Sequence, residues 1–266
     1  MHLLHPQRCR LRHFKQPMKI SFAICTHNEG ASLRLLLTKL TEFIHADKPS
    51  GIEYEIVVLD DYSDNRETND ILTEFLPHIS VHHHALNGDF GEHKNVMNSF
   101  CTGDWILNLD ADEWMTDDFL GYMSMIIEAN PNIDAYWIAR VNTVEGLTLK
   151  HLQRWGWTIT KEEQYRKIRV MDSTSDEYKL LKDFDHIISD EDGVVTYYEP
   201  IIAFPDFQMR LYKNDPKIKW TKKVHERLVG FNRYGMLPHE PILSIQHFKD
   251  ITRQEQQNSL YEKIIT

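Results

Sequence analysis

An α/β fold, a mainly parallel sheet with helices on both faces, is what this sequence predicts, and three observations predict it. Over the first 130 residues, short β-type runs alternate with amphipathic helical runs, the pattern of a doubly covered parallel sheet. Three of those β-type runs stop abruptly at polar clusters, Thr26-His27-Asn28-Glu29, Asp60-Asp61 and Asp110-Ala111-Asp112. After Asp134 the alternation gives way to a more polar, mixed pattern, which predicts a smaller mixed portion completing one domain.

Ile20–Cys25 reads as a buried strand, and Leu33, Leu36, Leu37, Leu40 and Ile44 follow at helical spacing. Tyr54–Leu59 is a second strand, and Glu67–Leu76 a short helix closed by Pro77. Ile79–His83 is a weak third strand, Gly91–Cys101 a helix and Trp105–Leu109 a fourth strand. Thr116 is placed to cap a helix whose first turn carries Asp117 and Asp118, favourable at the positive end of the dipole. That helix stops at Asn130-Pro131. Tyr136–Asn142, Phe207–Tyr212 and Val224–Leu228 read as strands, and Ile251–Ile264 as a polar C-terminal helix. Residues 158–200 read as a polar, irregular excursion with an acidic run at Asp183–Asp192. The halves divide at 18–133 and 134–266, and residues 1–17 read as a flexible extension.

The chain of 266 residues is 41% hydrophobic, enough for a proper core, with no apolar run long enough for a membrane span. Arg8, Arg10, Arg12 and Lys15 precede no apolar stretch, so the N-terminus does not read as a secretory leader. Cys9, Cys25 and Cys101 lack metal spacing and fit a reducing cytoplasm. The net charge of -10 argues against a general nucleic-acid binder, but it hides a segregation. Residues 20–139 carry 5 Lys and Arg against 21 Asp and Glu, while residues 207–233 carry 8 against 2. The acidic half invites a cation, and the basic stretch is either a solvated surface or a face for phosphates.

Alternate residues of an extended chain point the same way, so Asp110 and Asp112 can face one divalent ion through oxygen ligands. In open parallel sheets ligands bind beyond the carboxyl ends of the strands, where all three polar clusters lie. Successive residues of His82-His83-His84 point to opposite faces, so that triplet is not read as one ion's shell.

Cys25-Thr26-His27-Asn28-Glu29, Val58-Leu59-Asp60-Asp61-Tyr62-Ser63-Asp64, Lys94-Asn95, Gly103-Asp104-Trp105 and Asp110-Ala111-Asp112 together resemble the motifs of family 2 glycosyltransferases of the GT-A (Rossmann-like) fold. Arg154-Trp155-Gly156-Trp157, Pro205-Asp206-Phe207-Gln208-Met209-Arg210-Leu211, Trp220 and Val224-His225-Glu226 are similar to a subgroup that includes lipopolysaccharide-core glucosyltransferases, and Phe204–Glu226 with His247 resembles phage-encoded members. His27 and Tyr62 stand where members often carry Tyr or Phe and Gly, and the 158–200 excursion is long for the family.

The resemblance implies an inverting, metal-dependent sugar transfer from a nucleotide sugar, with a UDP-sugar the first candidate. It puts Thr26, Asn28, Glu29, Asp60, Asp61, Lys94, Asp110 and Ala111 at the donor, with Asp61 accepting from the base. Asp112 leads the metal ligands, with Asp110, His225 and His247 as further candidates for Mn²⁺ or Mg²⁺. Glu226 and then Asp206 are the candidate bases that deprotonate the acceptor hydroxyl. The acceptor is expected to be a glycan or lipid-linked glycan, or alternatively a hydroxymethylated base in phage DNA. A nucleotidyltransferase would open with a glycine-rich loop after its first strand, which Thr26-His27-Asn28-Glu29-Gly30 is not. A binding module without catalysis has no use for Asp110, Asp112 and Glu226 together.

Overall fold

The computed structural model describes residues 17–46, 51–160, 167–172, 174, 187–189, 194–199 and 201–265. Except for its last residue, the extension expected at 1–17 lies outside them. The chain opens with strand β1 (Met18–Thr26), helix α1 (Gly30–His45), β2 (Ile52–Asp60), α2 (Arg66–Phe75), β3 (Ser80–His83), α3 (Phe90–Phe100) and β4 (Trp105–Asp110). A two-residue strand β5 (Glu113–Trp114) and helix α4 (Asp117–Ala129) follow. Then come β6 (Ala135–Glu145), α5 (Leu149–Trp155), β7 (Lys167–Asp172), β8 (Ile187–Ser189), β9 (Val194–Glu199) and β10 (Ile201–Lys213). Short strands β11 (Lys219–Thr221), β12 (Arg227–Val229) and β13 (Tyr234–Met236) lead to β14 (Ile245–Asp250) and helix α6 (Ile251–Ile265).

The central sheet runs β3-β2-β1-β4-β10-β6-β14-β5, with β13 on the free part of the β6 edge. Its first four strands are parallel, as the alternating pattern predicts, and β10 enters antiparallel between β4 and β6. Alternation along β1 explains how both faces are covered. Phe22 and Ile24 point into a core with α1, α2 and α4, whereas Ala23 and Cys25 pack with Val96, Met97 and Phe100 of α3. The leucines at helical spacing in α1 are fully buried, each worth about 1.5–3 kcal/mol, so packing rather than propensity holds this helix. Side chains of Asn65, Asp89 and Thr116 cap α2, α3 and α4 by accepting the Thr68, Glu92 and Phe119 amide N–H groups.

Two expectations are corrected. The strand expected at Val224–Leu228 is only Arg227–Val229, because Lys222 and His225 adopt positive φ and Val224–Glu226 becomes part of a tight turn. The 158–200 excursion is not irregular throughout. Its described parts include a three-stranded antiparallel sheet, β7-β9-β8, whose six-residue β7 and β9 pair along their full length. The acidic run at Asp183–Asp192 is described only at 187–189.

Candidate active site

The carboxyl ends of β1, β2 and β4 meet at one crevice of roughly 440 Å³. Its floor is Cys25, Thr26, Asp61, Lys94, Asp110, Ala111 and Asp112, and one wall is Arg253, Gln257, Leu260 and Tyr261 of α6. Glu226 reaches it from the turn between β11 and β12. That approach depends on Gly91 at the start of α3, where a Cβ would lie 2.6 Å from the Lys222 carbonyl oxygen. The Phe90 N–H donates to the Lys223 carbonyl at 2.9 Å, fixing the same contact.

The charged groups form a connected network. Lys94 Nζ lies 2.7 Å from Glu226 and 3.4 Å from Asp110. Arg210 reaches Asp110 and Glu113, each at 2.7 Å, and Arg140 joins Glu113 at 2.9 Å to Asp206 at 2.7 Å. Burial works to raise the pKa values of Asp110 and Glu226. The charges of Arg210 and Lys94 on Asp110, and of Lys94 on Glu226, override it and hold both carboxyls below their ordinary range. Burial also works against the Lys94 cation, but Asp110 and Glu226 hold its pKa above the usual lysine value. The Cys25 thiol, buried beside them, is pushed up to about 12 and is inert as a nucleophile.

Asp112, 8% exposed, faces His247 Nε2 and Lys249 Nζ, each at 3.4 Å. Burial opposes its ionisation, and His247 and Lys249 nonetheless keep its carboxyl low. Burial drives the His247 imidazole toward its neutral form, against the pull of Asp112. A carboxylate oxygen and an imidazole nitrogen converging in a buried site suit a borderline or hard divalent cation. Among the described residues no third His, Cys, Asp or Glu joins them. The donor set therefore fits an ion completed by ligand oxygens and water, as Mg²⁺ and Mn²⁺ sites on phosphates commonly are.

Not every predicted residue reaches the crevice. Thr26, Glu29, Asp61, Lys94, Asp110, Ala111, Asp112 and Glu226 line it. The Thr26 hydroxyl is buried there without a hydrogen-bond partner, a group whose desolvation a ligand would offset. Asp61 uses one oxygen to accept the Leu86 N–H at 2.8 Å. Asn28 instead clamps two turns together. Its φ is 57°, its Oδ1 accepts from the Asp64 and Asn65 N–H groups, and its Nδ2 donates to Asp64. Asp60 is 1% exposed and holds Ser63, accepting from both its N–H and its hydroxyl. Asp206 stands off the crevice, bound by Arg140, Asn142 and Gln208. His225 lies edge-on to Tyr261 and does not face Asp112, whereas His247 does. The histidine triplet disperses as expected: His82 stacks on Phe100, His83 meets Asp60 and His84 meets His93.

Sequence reasoning assigned no role to Arg140, Arg210, Glu113, Lys249, Arg253 or Tyr261. Arg210 stood in a quoted motif and Glu113 directly followed the aspartate pair, which are the two signals that were available. The others are brought in by strand pairing and by the docking of α6.

The family model described as glycosyl transferase family 2 matches residues 21–183, more than half of the chain. An uncharacterized glycosyltransferase of Mycoplasma pneumoniae is 32% identical over 117 residues, 42% of this chain and 37% of the relative. An uncharacterized glycosyltransferase of Haemophilus influenzae is 28% identical over 131 residues, 48% of this chain and 42% of the relative. The chain thus matches less than half the length of either relative. Among solved structures, S. aureus TarS residues 1–349 align at a TM-score of 0.51 and 17% identity, covering 93% of this chain and 64% of that one. This likeness concerns the fold.

Proposed function

The chain belongs to glycosyl transferase family 2, and on that premise we propose that its crevice binds a nucleotide sugar and passes the sugar to an acceptor hydroxyl with inversion at the anomeric carbon. The observation that carries this reading is the meeting of Thr26, Asp61, Asp110 and Asp112 in one crevice with Lys94 and Glu226. Thr26 and Asp61 take the nucleoside, with a UDP-sugar the first candidate donor. Lys94 and Lys249 offer point charges to a diphosphate. Asp112 and His247 would hold Mn²⁺ or Mg²⁺, with Asp110 within reach through water. When bound, such a cation supplies Lewis-acid charge to the leaving diphosphate.

Glu226 is proposed as the base. It is ionised because Lys94 lies against it, and it removes the acceptor proton as the oxygen attacks. The acceptor is proposed to be a glycan or lipid-linked glycan hydroxyl. One observation favours a second reading, a hydroxymethylated base in DNA. Lys219, Lys222, Lys223 and Arg227 are exposed on the hairpin that carries Glu226, and a phosphate backbone would bind there with strong salt dependence. The cysteine usage points to a reducing cytoplasm, and no described helix is long and apolar enough to cross a membrane.

The test is a thermal-shift screen of nucleotide sugars with and without Mn²⁺, on wild type and Asp112→Asn. A donor that binds the native state raises Tm by mass action. The expected result is a metal-dependent shift with one nucleotide class, lost in Asp112→Asn. The absence of any shift with every nucleotide sugar would sink the reading.

A further inference from the structure

Asp206 and Asn142 belong to a relay that ends at the candidate cation site. Asp206 accepts from Arg140 Nε at 2.9 Å and Nη2 at 2.7 Å, and from Gln208 at 2.7 Å. The Asn142 amide donates to the same carboxylate at 2.9 Å. An ionised carboxylate only accepts, so the amide nitrogen of Asn142 has to face it, and the amide oxygen is turned the other way. That oxygen lies 2.7 Å from His247 Nδ1. An amide oxygen also only accepts, so Nδ1 must carry a proton. In the neutral ring the Nε2 lone pair is then left bare, 3.4 Å from Asp112 Oδ1. Nε2 and the Asp112 carboxylate thus converge in a site where both residues are 8% exposed, with a lone pair from each available to a cation placed between them.

We propose that Asp206 is a positioning residue, not the base: through Asn142 it fixes His247 as the Nδ1–H tautomer and aims Nε2, with Asp112, at a divalent cation. This rests on the metal-dependent reading above and assigns that reading two residues outside the crevice. Arg140 anchors the far end. It pairs Asp206 with Glu113 and so ties the relay to the network that holds Asp110. Metal-ligating histidines commonly need such a partner on the second nitrogen, and losing it costs about 10–100-fold in metal affinity.

Two readouts test it. Nitrogen-15 histidine spectra of the metal-free protein, with His247→Gln to identify the signals, report the tautomer directly. Wild type should show Nδ1 protonated, with Nε2 bare wherever the ring is neutral, and Asn142→Leu should lose that preference. Mn²⁺ titration with UDP, followed by the signal of free Mn²⁺, should then show binding weakened about 10–100-fold in Asn142→Leu. Asp206→Asn is the conservative control. Its amide oxygen can still accept from Arg140 and Asn142 once Gln208 turns its own amide, so tautomer and Mn²⁺ binding should survive. A neutral Nε2–H tautomer in wild type, with Nδ1 bare, would overturn the proposal. So would wild-type Mn²⁺ affinity in Asn142→Leu, or an Asp206→Asn protein that binds Mn²⁺ normally but has no turnover. Wild type that binds no Mn²⁺ while His247 keeps the expected tautomer is a different failure, that of the metal reading itself.

Discussion

Asp110, Asp112 and Glu113 follow one another at the end of β4, while the groups that face them come from separate strands: Arg140 from β6, Arg210 from β10, His247 and Lys249 from β14. The acidic side of the site is thus written in one short segment and the basic side is assembled by sheet pairing. The difference sets what each side can tolerate. A carboxylate cluster with no cations would not stay buried, because each unpaired buried charge costs several kcal/mol. The second half of the chain therefore stabilises the first half's motif before any ligand arrives. Lys94 is the exception, a cation supplied by the first half and shared between Asp110 and Glu226.

If that division of labour is right, Arg210 is its most sensitive point. It is 3% exposed and bridges Asp110 and Glu113, the latter fully buried. Arg210→Met should cost about 3–5 kcal/mol, since it leaves Asp110 with Lys94 alone and the fully buried Glu113 with Arg140 alone. Urea denaturation measures the loss, and a change below about 1 kcal/mol would break the comparison. Arg210→Lys should recover only part of the stability, because one ammonium cannot reproduce contacts made by a planar fork to several acceptors.

A second effect of similar kind arises within the first half. Burial pushes the His93 imidazole down to about 4, and its Nδ1 meets the His84 Nδ1 at 3.2 Å. The unfolded chain takes up this proton near the ordinary value of 6.5, whereas the native state resists until about 4. Between those values the unfolded state binds more protons, so stability should fall as pH drops through that window, by up to about 3 kcal/mol in total. His93→Gln should flatten that part of the stability curve, measured as the difference from wild type at pH 7 and pH 4.5. An unchanged slope would show that this imidazole is not what titrates.

The legibility of the chain follows the same division. Apart from the two-residue β5, the order of strands and helices up to Ala129 could be read because its periodicities are local, and so could the three polar clusters that end β1, β2 and β4. Local pattern does not say that Asn28 spends its side chain on Asp64 and Asn65 instead of facing the crevice, nor that Asp60 is consumed by Ser63. Arg140 and Asp206 are 66 positions apart and oppose each other in the β6–β10 register, a pairing that no spacing rule reveals. Helix α6 was legible as a polar helix, but its place against the crevice was not, since a polar face is equally suited to solvent.

The smallest effect tests whether α6 belongs to the site or merely rests on it. Arg253 pairs with Glu29 at the crevice rim, and its side chain is 35% exposed. A pair this accessible is worth at most about 1 kcal/mol, so Arg253→Ala should barely move Tm. Arg253 also lines the crevice beside Gln257 and Tyr261, and Tyr261 packs edge-on against Phe90 and His225. If the helix only shields the crevice, donor affinity should be unchanged. If it is part of the binding wall, affinity should fall several-fold at constant Tm, read by calorimetry with UDP and Mn²⁺. The second outcome is the one expected, because a cation lining a crevice proposed to take a diphosphate adds more to binding an anion than an accessible ion pair adds to folding. It would add α6 to β6, β10 and β14 as a second-half element that supplies the basic side of the site.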